Sequence, residues 1–302
     1  MAAGPPTARD RLGAVPLHVW AVLAVGLATF GSSAILVRYA SEAPALALAV
    51  WRTTFAAVLV APVALAKAGP QLRRLPPRDL ALIGAAGVLL GLHFIGYIES
   101  LYHTSVASAS VLVTTSPLFI AALGYAFLRE RLALRTVLAI AAAVAGAALI
   151  GLADAQAGAF PRAGFGNALA LLAALLFSVY ILIGRAVRQR MGFLPYLLPL
   201  YAVAAATCVG AALLRGVPLA QPWPVLGLCL LMALGPQLLG HGSFNYAVRY
   251  LPAALLGLLS LIEPVVASFL ALVLFGERPP LLAVAGMAVV LLAIAAVFAR
   301  RT

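Results

Sequence analysis

The 302-residue sequence predicts an all-α integral membrane protein of ten transmembrane helices, built as two inverted five-helix repeats. Three observations predict it: an apolar composition, ten apolar stretches of bilayer-crossing length, and a short motif that recurs at a fixed spacing. Hydrophobic residues make up 65% of the chain and charged residues 9%, with a mean hydropathy of +1.10. A soluble domain has roughly 45–50% apolar and about 25% charged residues. So few polar side chains cannot cover a water-facing globule, whereas a bilayer accepts an apolar exterior and needs about 20 apolar residues per crossing.

Clusters of charged, Pro or Gly residues divide the chain into apolar segments at 17–37, 44–66, 80–102, 105–128, 133–152, 166–187, 193–214, 222–248, 253–275 and 281–299. The first follows Arg9 and Arg11, as a signal peptide would. It exceeds the roughly 7–15-residue signal core and ends in no small-residue cleavage site, so it reads as helix one. The eighth contains Pro236 and is expected to be kinked or discontinuous. Cys208 and Cys229 lie inside apolar segments without metal or redox spacing and read as packing residues.

The formal charge of +12 sits between the apolar stretches. That placement points to topology and anionic lipid head groups rather than nucleic acid. With the N-terminus inside, 15 of the 20 basic residues fall in cytoplasmic loops and tails and four outside, at Arg38, Arg162, Arg215 and Arg278; Arg52 lies within a segment. Both termini are therefore expected in the cytoplasm of a multi-pass protein of the bacterial inner membrane.

Sliding the sequence by 147 residues lays Ser116-Pro117 on Glu263-Pro264, and Arg129-Glu130-Arg131 on Gly276-Glu277-Arg278. Five helices per copy is an odd number, so the second copy must cross the membrane in the opposite sense. The expected organisation is a cytoplasmic tail at 1–14, a first repeat at 15–153, an extracytoplasmic linker at 154–165, a second repeat at 166–299 and a cytoplasmic end at 300–302. Inverted repeats of this kind suit alternating access around a central site.

At these residues the chain resembles the EamA family of the drug/metabolite transporter superfamily. The similar stretches are His103-Thr-Ser-Val-Ala-Ser-Ala through Ser116-Pro117, Leu128-Arg-Glu-Arg-Leu, Tyr250-Leu-Pro-Ala-Ala through Glu263-Pro264, and Phe275-Gly-Glu-Arg. The resemblance implies ten helices in two inverted repeats and movement of small metabolites, export first. It departs at Phe30-Gly31-Ser32-Ser33, where many members carry Trp before the Gly-Ser.

Charged groups in the hydrocarbon layer cost roughly 2.5–3.5 kcal/mol each on insertion scales, which makes Arg52, Glu99 and Glu263 functional candidates. Arg52 reads either as the partner of Glu99 or as a binder of an anionic group such as a substrate carboxylate. Glu263 sits about 11 residues, or roughly 16 Å, into its segment. It reads as a proton-coupling group, as the partner of a substrate cation, or as a structural carboxylate. Gln237, His241 and Asn245 recur at i, i+4, i+8 and are expected on one helical face with Phe244 at its edge. Polar glue between helices is the alternative for that stripe. In segment three, His93, Tyr97 and Ser100 share a face opposite Gly84, Gly87 and Gly91. The repeated turn acids Glu130 and Glu277 read as structural caps or ion-pair partners.

These residues point to a secondary transporter that moves a small polar or amphipathic solute, such as an amino acid, through a central cavity, with protons as a candidate coupling ion. The sequence has no GxxxxGK[ST] phosphate loop for a pump, and no HExxH or GxSxG for an intramembrane enzyme. No cofactor or metal is implied. A passive channel or scaffold is the third class, although no charge ring or repeated filter is evident.

Overall fold

The computed structural model describes residues 15–104, 106–129, 132–155, 161–276, 278 and 281–298. The tails expected at 1–14 and 300–302, residues 156–160 of the linker, Glu130 and Glu277 lie outside the described residues. The helices are α1 (Leu17–Phe30), α2 (Ser32–Tyr39), α3 (Ala45–Leu72), α4 (Pro77–His103), α5 (Val106–Val113), α6 (Ser116–Leu128) and α7 (Leu134–Ala155), followed by α8 (Ala163–Arg188), α9 (Phe193–Leu214), α10 (Trp223–Met232), a π-helical segment (Ala233–His241), α11 (Gly242–Ala247), α12 (Ala253–Ser260), α13 (Glu263–Phe275) and α14 (Leu281–Phe298).

Proline punctuates this order. Pro16, Pro44, Pro76, Pro222 and Pro252 each stand immediately before a helix, where the missing N–H costs nothing and the fixed φ suits the first turn. Among the described residues eight helical stretches are long and apolar enough to cross a membrane: Leu17–Tyr39, Ala45–Leu72, Pro77–His103, Ser108–Phe127, Ala163–Arg188, Phe193–Leu214, Trp223–Ala247 and Ala253–Leu274. Leu134–Leu149 and Leu281–Val297 are shorter apolar helices. The outside of the bundle is studded with exposed apolar side chains such as Leu65, Leu138, Leu172, Phe269 and Leu292, a surface suited to lipid tails.

Helix starts in the first half, at 17, 45, 77, 106, 116 and 134, recur at 163, 193, 223, 253, 263 and 281, spacings of 146 to 148 residues. The turn closing each copy is alike as well. Arg129 (φ 52°) and Gly276 (φ 68°), one repeat apart, both adopt the left-handed conformation that ends a helix. Packing follows the same exchange of halves: α4 lies along α8 as α1 lies along the π-helical segment, while α7 pairs with α14 and α3 with α9.

Three expected segments are interrupted. The first breaks at Gly31, which packs against Val266 and Ala267. The fourth and ninth break at equivalent places, residues 114–115 and 261–262, just before Ser116-Pro117 and Glu263-Pro264. A proline at the second helical position cannot donate to the preceding turn, so each helix restarts there. The eighth segment is π-helical around Pro236, since the wider turn accommodates a residue that has no N–H. In α4 the glycine face is used at Gly87 and Gly91, where a Cβ would stand 2.8 Å from the Leu200 and Ala204 carbonyl oxygens of α9. Gly84 has open space instead.

Candidate functional site

The interruptions converge on one central cavity, whose walls include Phe30, Ser33, Arg52, His93, Phe94, Tyr97, Thr114, Ser116, Phe177, His241, Ser260 and Glu263. Residues on both sides of each break face it: Phe30 and Ser33 flank Gly31, Thr114 and Ser116 belong to the break in the first half, and Ser260 and Glu263 to its counterpart. Interrupted helices let backbone and short hydroxyl side chains meet a solute at a depth where a continuous helix offers only side chains.

An arginine and a carboxyl group stand in this cavity. Arg52 and Glu263 are 1% and 5% exposed, yet no ion pair within 4 Å joins them. The Arg52 Nε donates to Gln237 Oε1 at 2.8 Å, and Nη1 donates to Ser33 Oγ at 2.9 Å. Its guanidinium carbon lies 4.1 Å from the centre of the Phe94 ring, a cation–π contact worth about 2 kcal/mol when desolvated. Neutral dipoles and a ring thus offset part of the cost of the buried cation. The Tyr97 hydroxyl donates to Glu263 Oε1 at 3.2 Å. Ser100 steadies that helix turn by donating to the Tyr97 carbonyl at 2.6 Å.

Aromatic rings form part of the same lining. The His241 ring centre is 4.8 Å from Phe94, 4.9 Å from Phe30, 5.7 Å from Phe177 and 5.7 Å from His93. The Phe30 ring also lies 5.1 Å from Phe244, tilted by 35°. The His93 Nδ1 lies 2.9 Å from the Ala173 carbonyl. A carbonyl only accepts, so this nitrogen carries the proton, and in the neutral ring Nε2 keeps its lone pair. His241 Nδ1 is hydrogen-bonded to the Tyr180 hydroxyl at 3.2 Å.

The cavity brings together five of the residues singled out from the sequence: Arg52, His93, Tyr97, His241 and Glu263. Gln237 touches it through Arg52, and Phe244 through Phe30. Asn245 is fully buried but lies outside the lining. It stands one α-helical turn beyond His241, about 6 Å further along the axis. The pairing of Arg52 with Glu99 is corrected: Glu99 meets the His103 Nε2 at 3.1 Å. Two residues beyond Tyr97, Glu99 points about 200° around the helix from the cavity. Phe94, Phe177 and Ser33 were not singled out as binding residues. Phe94 immediately follows His93, and a Phe inside an apolar segment carries no signal of its own. Among the described residues no cluster of His, Cys, Asp or Glu could hold a metal ion, and Cys208 and Cys229 are free and buried.

At one end of the bundle Arg190 holds Asp79 at 2.5 Å, joining the loop after α8 to the start of α4. The carboxylate raises the Arg190 pKa above its usual value, so that cation stays charged. Arg185 donates to the Val248 carbonyl at 2.7 Å on the same side.

The chain resembles known proteins in both sequence and fold. The profile of the EamA-like transporter family fits twice, at residues 18–152 and 164–299. A protein of Streptantibioticus cattleyicolor named a probable terminal-alkyne amino-acid exporter is 31% identical over 277 residues, 89% of each chain. A crystal structure that is 20% identical superposes with a TM-score of 0.78 over 94% of this chain and 97% of that one, which shows a common fold.

Proposed function

The chain belongs to the EamA-like transporter family, and from that premise we propose that it is a secondary exporter of amino acids or closely similar zwitterions. It crosses the membrane ten times as two inverted repeats, with both termini in the cytoplasm. The observation that carries the reading is the pair Arg52 and Glu263, buried in one cavity and held apart by separate neutral partners. A buried guanidinium and a buried carboxyl group that share a cavity without pairing are matched by a solute with one carboxylate and one ammonium group. The planar guanidinium suits a carboxylate, and Glu263 suits an ammonium group. The ring wall of Phe30, Phe94, Phe177 and His241 leaves the solute's side chain apolar and polarisable contacts. The similar Streptantibioticus protein, named for amino-acid export, supports the same class.

Glu263 also supplies a means of coupling. A carboxylate that holds the solute's ammonium group cannot hold a proton, so the two compete for one site. A transporter that must carry one or the other across exchanges outward solute for inward proton. The inverted repeats, whose helix starts and packing pairs exchange between halves, supply two equivalent arrangements around the site.

The test is counterflow of radiolabelled amino acids in proteoliposomes, with and without an imposed proton gradient. Saturable counterflow is expected, and His241→Ala, which removes the ring at the centre of the aromatic wall, should lower it at least tenfold. Flux that does not saturate would point to a pore. Purified protein that turns over a lipid or peptide without net transport would point to an enzyme.

A further inference from the structure

The two imidazoles of the cavity are held by one face of a single helix. Ala173, Phe177 and Tyr180 recur at i, i+4, i+7 along α8. The Ala173 carbonyl meets His93 Nδ1 at 2.9 Å, and the Tyr180 hydroxyl meets His241 Nδ1 at 3.2 Å. Phe177, between these two anchors, lines the cavity together with both histidines. Each ring is thus fixed to α8 through Nδ1, while its Nε2 has no hydrogen-bond partner among the described residues. His93 and His241 are 4% and 3% exposed, so the group that satisfies these nitrogens must come from inside the cavity.

The anchors give the two free nitrogens opposite characters. The Ala173 carbonyl only accepts, which places the His93 proton on Nδ1 and leaves the lone pair on Nε2. Tyr180 acts in the other sense. Its hydroxyl is fully buried, and the Asn245 amide approaches both this oxygen and that of Tyr201. Tyr201 gives its own proton to the Gln237 carbonyl at 3.0 Å, and Tyr180 has His241 Nδ1 within reach for its proton. A buried hydroxyl that does not donate is costly. Tyr180 therefore donates to Nδ1, and the neutral His241 ring carries its proton on Nε2. The cavity thus offers an acceptor and a donor on rings whose centres stand 5.7 Å apart. The hydroxyls of Thr114 and Ser260 in the same lining do not compete, because they donate to carbonyls of their own helical turns.

We propose that His93 and His241 read the side chain of the solute, and that this side chain ends in a group that both donates and accepts, a hydroxyl or a carboxamide. The inference deepens the amino-acid reading and rests on it. Arg52 and Glu263 hold the α-carboxylate and the α-ammonium group that amino acids share, while the two rings select among amino acids. The side-chain group donates to His93 Nε2 and accepts from the N–H at His241 Nε2. An apolar side chain of the same shape leaves both nitrogens unpaired. A site built to hydrogen-bond a group rejects the analogue lacking it far more strongly than an apolar pocket rejects a missing methylene.

Inhibition of counterflow by isosteric pairs tests this: threonine against valine, and asparagine against leucine. In the wild type the polar member of at least one pair should inhibit at a concentration at least tenfold lower than its apolar partner. A gap in the first pair identifies a hydroxyl, and a gap in the second a carboxamide. His93→Phe and His241→Phe each keep a ring without its nitrogens and should close or reverse the gap, since an apolar pocket favours the apolar isostere. Lost packing would weaken both members of a pair alike, so their ratio separates recognition from structure. Should a ring replacement fail to fold, Tyr180→Phe, which frees His241 to carry its lone pair on Nε2, should narrow the gap as well. Equal inhibition within both pairs in the wild type, or a gap that survives the ring replacements, would overturn the proposal and leave amino-acid export standing. No counterflow with any amino acid would overturn the transport reading and this one with it.

Discussion

Glu263→Gln should abolish the stimulation of export by a proton gradient, acid outside, and lower amino-acid counterflow at least tenfold. Glutamine keeps the shape and can still accept from the Tyr97 hydroxyl, which donates to Glu263 Oε1 at 3.2 Å, so the change isolates the charge. A hydrogen bond to a charged group contributes about 1.5–3 kcal/mol, and about 1.4 kcal/mol is tenfold in affinity. The sign with pH follows from the competition. Holding an ammonium group requires the ionised carboxylate, so acidification weakens solute binding in the wild type, while the glutamine variant should bind weakly at every pH. Gradient stimulation that survives in Glu263→Gln, measured as uptake into proteoliposomes at several fixed pH values, would reject this carboxylate as the coupling group.

Arg52→Lys should cost a comparable factor, through affinity more than through turnover. Lysine retains the positive charge but loses the planar fork that both grips a carboxylate and donates to Gln237 and Ser33. It also loses the flat contact on Phe94 at 4.1 Å. An ammonium group at this depth has fewer directions in which to donate, and the amide of Gln237 loses its partner. The expected result is an apparent half-saturation constant raised at least tenfold in counterflow, with folding checked by thermal unfolding of the purified variant. Full transport by Arg52→Lys would make the bidentate carboxylate contact wrong.

Much of the architecture is legible in the sequence because it rests on composition and period. Apolar stretches long enough for a bilayer have few other uses, and the 147-residue spacing that joins Ser116-Pro117 to Glu263-Pro264 reappears in the helix starts. Pro236 announces its irregular helix because it has no N–H to give. The break at Gly31 is harder to read, since it lies where Val266 and Ala267 of the other half pack close against the glycine.

The site is legible where an ionisable or polar residue sits deep in an apolar segment, as with Arg52, His93, His241 and Glu263. Depth, however, is one coordinate and rotation about the helix is another. Glu99 reads in the sequence as one candidate partner of Arg52, but its rotation turns it to His103. Asn245 keeps the helical spacing of Gln237 and His241, yet it stands a turn further along the axis and outside the cavity lining. Phe94 was hidden for a simpler reason: its role on Arg52 depends on a contact between α3 and α4 that no local pattern encodes.

The central claim is that one solute carries both charges that Arg52 and Glu263 hold apart. Its most direct test is inhibition of counterflow by three matched compounds with the same side chain: an α-amino acid, the corresponding amino amide without a carboxylate, and the corresponding α-hydroxy acid without an ammonium group. The account predicts that the amino acid inhibits at a concentration at least tenfold lower than either single-charge compound, and that Arg52→Lys and Glu263→Gln each narrow one of the two gaps. Equal inhibition by the amide or the hydroxy acid would contradict recognition of a zwitterion in this cavity.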